Sequence, residues 1–388
     1  MHLEQEIPNS RVKKVMIVAG EASGDLHGSN LVKAMRHIDP QIHFYGIGGE
    51  RLKEAGVEIV ANSSDMAVVG LTEVLSKLGF ILKARRKLKK YLQEEPPDLL
   101  ILIDYPDFNL PLARKARKNG VKVFYYISPQ VWAWRKRRIY SIARLVDRMA
   151  VILPFETSTY ERVKLDVSFV GHPLLDAVKK KYTREEALKN FDLKDGVTTV
   201  GILPGSRDGE VMKLLPEMLK AAELLEHRLS SVQFILPLAD TLSHDFVAGI
   251  VRQYSANVKI VKDNVYDVIG LSDIAMVASG TATLETALLE TPMIIVYKVS
   301  PVSYLMGRIF IDVDHIGIVN IIAGKTIVPE FIQNDANPEA MANEIFDILT
   351  NKLRMDQTKQ DLAKIRGKLG TPGAAVRTAR LAYEMILK

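Results

Sequence analysis

The stretch that most restricts what this chain can fold into is residues 274–297, IAMVASGTATLETALLETPMIIVY. Ile274–Ala278 is a short unbroken apolar run, the pattern of a strand buried on both faces of a sheet. Ser279-Gly280-Thr281 interrupts it. Leu284, Ala287 and Leu288 then recur at helical spacing, which gives the next segment one apolar face. Pro292 is expected to end that helix, because proline disfavours helical backbone in the residue before it. Met293–Tyr297 reads as a second buried strand. Strand, turn, helix and strand make a βαβ crossover, which implies a parallel sheet. The turn leaves the free N–H groups of a helix start at the carboxyl edge of that sheet, where phosphate binds. Glu285 falls four residues after Thr281, on the same helix face. A carboxylate there repels bare phosphate but accepts hydrogen bonds from a ribose whose diphosphate rests on the helix start. An ordinary crossover with a solvated glutamate reads the same way.

A chain of 388 residues, 47% hydrophobic and 25% charged, is long enough for two domains with large cores. It contains no cysteine, which excludes disulfides and thiolate metal sites and fits a reducing compartment. The first residues, MHLEQEIPNSRVKK, lack the apolar core of a signal peptide. No apolar run is long enough to span a bilayer. The net charge of +6 points to an anionic partner: nucleic acid, a phospholipid surface or a phosphorylated substrate.

The first half opens with a strand, Lys14–Ala19, the turn GEASGD and a helix from about His27 to Arg36. Another strand, Ile42–Ile47, ends in GIGGE, a cluster that lacks the third glycine of a dinucleotide fingerprint, and no GK[ST] phosphate loop occurs. Between Met66 and Leu92 an apolar stripe (Val68, Val69, Leu71, Val74, Leu75, Leu78, Ile81, Leu82) runs into Lys83–Lys90, six of whose eight residues are basic. That sequence suits an anionic membrane surface, or else a core helix with a solvated, positive last turn. The strand Asp98–Ile103 ends in DYPDFN, placing Asp104, Asp107 and Asn109 where α/β enzymes put their chemistry. A general base, a Mg²⁺ pair or simple turn capping fit those residues. After the strand Val121–Ile127, SPQVWAWRKRR carries both tryptophans and four consecutive cations, Arg135–Arg138. His172 in the turn of FVGHPLLD reads as structural rather than as a base. The helical charge run Lys179–Lys189 marks a boundary. The second half then repeats the opening: the strand Thr198–Leu203 and the turn PGSRDGE, in which Arg207 can grip a diphosphate with two N–H groups or simply decorate the surface.

AGEASGD, IDYPDFN, SPQVWAWRKRR, LPGSRDGEV and ASGTATLE occur in an order and spacing that resemble the lipid-A-disaccharide synthase family, over about Val15 to Gln333. The resemblance implies an α/β chain of the GT-B class, with two Rossmann-like doubly wound domains facing a cleft. The domains would be residues 1–176, for acceptor and membrane, and 177–365, for the UDP-sugar donor, with helix 366–388 returning to the first. It implies an inverting transfer from UDP-diacylglucosamine to the 6-hydroxyl of diacylglucosamine 1-phosphate, giving a β-1′,6 disaccharide and UDP. Asp107 would be the general base, with Asp104 and Asn109 shaping its loop, and Glu21 would touch acceptor or reacting sugar. The diphosphate would rest on Gly205, Ser206, Arg207, Gly280, Thr281 and Ala282, the ribose on Glu285, and the donor sugar near Asn320, Glu330 and Gln333. No metal, no cofactor and no nucleic acid is implied, and the chain would sit peripherally on the cytoplasmic face of the inner membrane. The competing functions are a UDP-sugar 2-epimerase, which shares the layout and a GHP turn, and a peripheral membrane protein without catalysis.

Overall fold

Each buried apolar run in the first half of the chain becomes a strand of one parallel sheet. A computed structural model describes residues 11–63, 71–301, 304–305 and 313–387, leaving aside the side chains of 71–78. The chain forms two units, one from residues up to 173 together with 371 onward, the other from 174–370. The first unit runs β1 (Lys14–Ala19), α1 (Ala22–Ile38), β2 (His43–Gly48), α2 (Glu50–Glu54), β3 (Glu58–Asn62), α3 (Leu71–Glu94), β4 (Leu99–Ile103), α4 (Pro106–Lys118), β5 (Lys122–Tyr126), α5 (Arg138–Leu145), β6 (Arg148–Val151), α6 (Glu156–Tyr160) and β7 (Asp166–Phe169). Its strand order is β3-β2-β1-β4-β5-β6-β7, all parallel. Val15–Ala19 and Leu99–Ile103 are wholly buried, which is why both read as unbroken apolar runs. The order reverses between β1 and β4. Connections from these two strands leave on opposite faces, so their carboxyl ends open a crevice suited to ligands.

The second unit repeats the plan. It runs α7 (Leu174–Ala177), α8 (Arg184–Asn190), β8 (Thr198–Leu203), α9 (Asp208–Arg228), β9 (Val232–Leu238), α10 (His244–Val251), β10 (Val258–Lys262), α11 (Val265–Leu271), β11 (Ile274–Ala278), α12 (Thr281–Leu288), β12 (Met293–Tyr297), α13 (Ile318–Ala323), β13 (Glu330–Ile332), α14 (Pro338–Thr350) and α15 (Lys352–Lys368). The order β10-β9-β8-β11-β12-β13 is parallel throughout and reverses between β8 and β11. The final helix, α16 (Ala374–Leu387), belongs to the first unit and packs on α1, β4 and β5, burying Ala374, Ala379 and Ala382. Lys13 Nζ ties it down, donating to Asp39 and to the Tyr383 hydroxyl, each at 2.9 Å.

Several local expectations differ from what forms. Pro292 does not end α12; the helix stops at Leu288, and Glu290 reverses the chain in the left-handed region at φ +57°. GEASGD and DYPDFN are not loops throughout. Helix α1 begins at Ala22, and α4 begins at Pro106, a residue that suits a first helical position because it lacks only an N–H with no partner there. In the charge run, helix begins only at Arg184, where the Thr183–Glu186 capping box sets the start. Of the apolar stripe before the basic run, Val68 and Val69 and the side chains of Leu71, Val74, Leu75 and Leu78 lie outside the described residues. Among the described residues no helix is long and apolar enough to cross a membrane.

Candidate functional site

At the strand reversal of the second unit lies a cavity of about 550 Å³, within the range of ligand sites. The turn after β8 supplies Gly205, Ser206 and Arg207, and the start of α12 supplies Gly280, Thr281, Ala282 and Glu285. Gly205 sits at φ +110°, and a Cβ there would fall 2.6 Å from Glu210 Oε2, so only glycine lets this turn close. Arg207 Nη1 meets Glu210 Oε1 at 2.9 Å, but both side chains are exposed, and such a pair yields readily to a stronger anion. No side chain caps α12, and the space where a Gly280 Cβ would stand is open. The N–H groups of its first turn therefore face the cavity as an anion site. Glu285 lies one turn further in. Burial pushes its carboxyl up, while a 3.2 Å hydrogen bond from the Tyr266 hydroxyl opposes that rise.

Asn320, Glu330 and Gln333, assigned to the donor sugar by resemblance, are not among the residues lining this cavity. Buried Asn320 donates from Nδ2 to Val328 O (2.8 Å) and Glu330 Oε1 (2.7 Å), and its Oδ1 accepts from Ile327 N and Val328 N. Glu330 accepts from Ile316 N (2.8 Å) and Gly317 N (3.1 Å), and Gln333 makes two bonds with the Val299 backbone. Their polar atoms are committed to bracing the loops beside β12 and β13.

In the first unit, the crevice between β1 and β4 is bordered by Glu21 and the Asp104–Asn109 loop. Asp104 (φ +43°) and Tyr105 (φ +45°) are consecutive left-handed residues, a conformation that costs a non-glycine residue about 1–2 kcal/mol. Three bonds hold it. Asn109 Nδ2 donates to Ile103 O (3.2 Å) and Asp104 O (2.7 Å), and the Tyr125 hydroxyl donates to Asp104 O. Gly20 makes room: a Cβ there would lie 2.3 Å from the Tyr105 ring. Burial, and then the charge of Glu21, push the Asp104 carboxyl up to about 6. Asp107 differs. It is exposed on the first turn of α4, and its Oδ1 is shared by Arg138 and, at 3.4 Å, Arg135. Both guanidiniums also lie over the Trp134 ring, Arg135 at 4.4 Å and Arg138 at 5.8 Å from its centroid. The tryptophan motif thus delivers two cations to Asp107.

Asp25 and Glu156 are among the buried carboxylates that the sequence did not single out. Asp25 accepts N–H bonds from Gly49 (2.6 Å), Arg51 (3.1 Å) and Leu52 (3.2 Å), which joins the SGD and GGE motifs into one brace. Glu156 accepts from Ile152 N and Leu153 N beyond β6, and burial pushes it up to about 7. Its only signal in the sequence is the triplet Pro154-Phe155-Glu156 after the strand. His172 is buried and pushed down to about 3 by burial and by His27, so it is neutral and suits a structural part.

Two doubly wound parallel sheets, with an anion site in a cavity at a strand reversal, define a nucleotide-sugar enzyme of the GT-B fold. Solved structures agree on the fold. The UDP-N-acetylglucosamine 2-epimerase of Neisseria meningitidis, bound to UDP-N-acetylglucosamine, superposes with a TM-score of 0.61 at 13% identity, over 96% of this chain and 99% of that one. MurG of Acinetobacter baumannii does so at 0.58 and 16%, again over 96% and 99%. Sequence separates the alternatives. Residues 15–383 match the family described as lipid-A-disaccharide synthetase. The lipid-A-disaccharide synthase of Syntrophus aciditrophicus is 58% identical over 97% of this chain and 98% of its own length, and that of Geobacter sulfurreducens 52% identical over the same shares. The chain belongs to the lipid-A-disaccharide synthase family. It is a glycosyltransferase of lipid A biosynthesis, working with a UDP-sugar donor and a lipid acceptor.

Proposed function

We propose that the chain joins UDP-2,3-diacylglucosamine to 2,3-diacylglucosamine 1-phosphate, releasing UDP and the β-1′,6 disaccharide 1-phosphate. The observation that carries the donor half is the cavity at the β8–β11 reversal, about 550 Å³, lined by an uncapped helix start, a closing glycine and an arginine. UDP would lie there, its ribose on Glu285. As the bond from the anomeric carbon to the diphosphate breaks, negative charge grows on UDP. The Gly280–Ala282 N–H groups and Arg207 offset it. The acceptor's 6-hydroxyl gives its proton to a carboxylate as its oxygen bonds to the anomeric carbon, with inversion.

Asp107 was expected to be that base. Asp104 suits the task better. Its carboxyl is raised to about 6, near working pH, whereas the Asp107 Oδ1 is already engaged by two guanidiniums. Asp107 then fixes Arg135 and Arg138, whose combined charge exceeds its own and suits the acceptor's 1-phosphate. Glu21 tunes Asp104. Asn320, Glu330 and Gln333 shape the donor unit from behind.

Peripheral binding to the cytoplasmic face of the inner membrane fits α3. There Ala84, Leu88 and Leu92 are buried while Lys83, Arg86, Lys87 and Lys90 face outward. The test is UDP release with the donor, with and without the lipid acceptor. Release that requires the acceptor is expected. Epimerisation of the donor without acceptor, or no release with both substrates, would overturn the proposal. Full loss of turnover in Asp107→Asn, with Asp104→Asn still active, would return the base to Asp107.

A further inference from the structure

A solvent-open groove, about 660 Å³, lies in the first unit, beside the amino ends of β5, β6 and β7. It is on the edge of the sheet away from Asp104 and Glu21, which follow the carboxyl ends of β4 and β1. Arg117 from the last turn of α4, Arg144 from the last turn of α5, and Arg162 and Lys164 from the segment entering β7 line it, with Tyr140. No carboxylate lines it. Asp147 pairs with Arg117 at 2.6 Å, and its other oxygen accepts Val123 N at 2.8 Å, so it is anchored to the sheet and engages one cation. Among the described residues, Arg144, Arg162 and Lys164 have no carboxylate within ion-pair distance.

A cation in the last turn of a helix is favourable in itself, which accounts for Arg117 and Arg144. Helix α6 ends at Tyr160, two residues before Arg162, so the same preference extends to Arg162, but it does not account for Lys164, which lies beyond the reach of that helix end. Four like charges around one concavity repel one another, and a low-dielectric wall concentrates their field on whatever fills it. Guanidinium groups bind phosphate oxygens in pairs. The half-exposed Tyr140 ring adds a flat apolar face at the rim.

We infer that this groove is a binding site for a small soluble ligand carrying a di- or polyphosphate, distinct from the donor cavity. The cations surround one concavity, which favours a compact polyanion that enters it over a bilayer, whose surface would meet only the rim. The full chain is titrated calorimetrically with inorganic pyrophosphate. The Arg144→Ala/Arg162→Ala double variant should lose one pyrophosphate per chain relative to wild type, or bind it at least tenfold more weakly. Lys164→Glu should do the same, and its exposed loop position makes loss of fold no explanation. UDP affinity at the donor cavity should be unchanged in both. Equal pyrophosphate binding by wild type and variants overturns the inference. Vesicles of phosphatidylglycerol distinguish the sources. The double variant should bind them like wild type, and loss of vesicle binding with pyrophosphate binding intact would assign the groove to lipid headgroups and overturn the soluble ligand.

Discussion

Asp104→Asn retains the shape of its loop and removes the charge. Asparagine accepts the left-handed backbone at φ +43° as readily as aspartate does. In the wild type, burial and Glu21 raise the carboxyl from 3.8 to about 6. A shift of about two units means that ionising this group in the folded chain costs roughly 3 kcal/mol more than in the unfolded chain. Below pH 4 the group is protonated in both states and nothing is lost. Between about pH 4 and 6 the unfolded chain gives up its proton first, so wild-type stability falls as pH rises, and the loss is complete above about pH 6. The variant carries no such penalty. Its first unit should therefore be more stable than wild type by up to about 3 kcal/mol at pH 8, and the advantage should disappear near pH 3.5. Turnover should move the other way, falling about 10²–10⁴-fold with the loss of a general base. Urea unfolding of the first unit across pH 3.5–8, beside UDP release from the full substrate pair, measures both. A variant that is less stable at pH 8, or one that retains a tenth of wild-type turnover, refutes the reasoning.

Glu21→Gln removes the like charge beside Asp104, so the acid limb of the pH–rate profile, expected near pH 6, should shift downward; an unmoved limb would mean that the two carboxylates do not interact. Arg207→Ala should weaken UDP binding about ten- to a hundredfold, the loss of one charge-assisted contact of about 1.5–3 kcal/mol, and an unchanged affinity measured by calorimetry would remove Arg207 from the diphosphate. Gly205→Ala forces a Cβ into the φ +110° turn 2.6 Å from Glu210. It should destabilise the second unit by more than about 1 kcal/mol and weaken UDP binding as well, and a melting profile identical to wild type would contradict this.

Strands buried on both faces were plain in the sequence, since β1 after its first residue, β11 and β12 are continuous apolar runs with the expected ends. Strands that lack that pattern were not. β3 is only partly buried, so EIVAN shows neither a full run nor a clean alternation, and β13 is three residues long. The donor turns were legible because glycine placement and helix starts are local facts. The chemistry around Asp104 was less so. Its left-handed backbone depends on Tyr125, 21 residues away, and the cations that occupy Asp107 come from 28 and 31 residues downstream. No spacing rule shows which of two neighbouring aspartates is buried and which is paired. Asn320, Glu330 and Gln333 show the same limit, since a polar side chain that braces a loop looks identical, in sequence, to one that holds a sugar.

Helix α16 gives the chain an unusual order of assembly. All of the second unit lies between β7 and this helix, so a growing chain finishes the later unit before the earlier one can be completed. Until α16 arrives, α1 lacks the cover that this helix gives it, and Arg148 lacks Glu384. A nascent chain halted at residue 370 should resist protease across the second unit while its N-terminal residues are cut, and equal protection of both would contradict this. The part of the molecule synthesised first would thus spend longest exposed to chaperones, with its apolar flank open until the final turns of the chain dock.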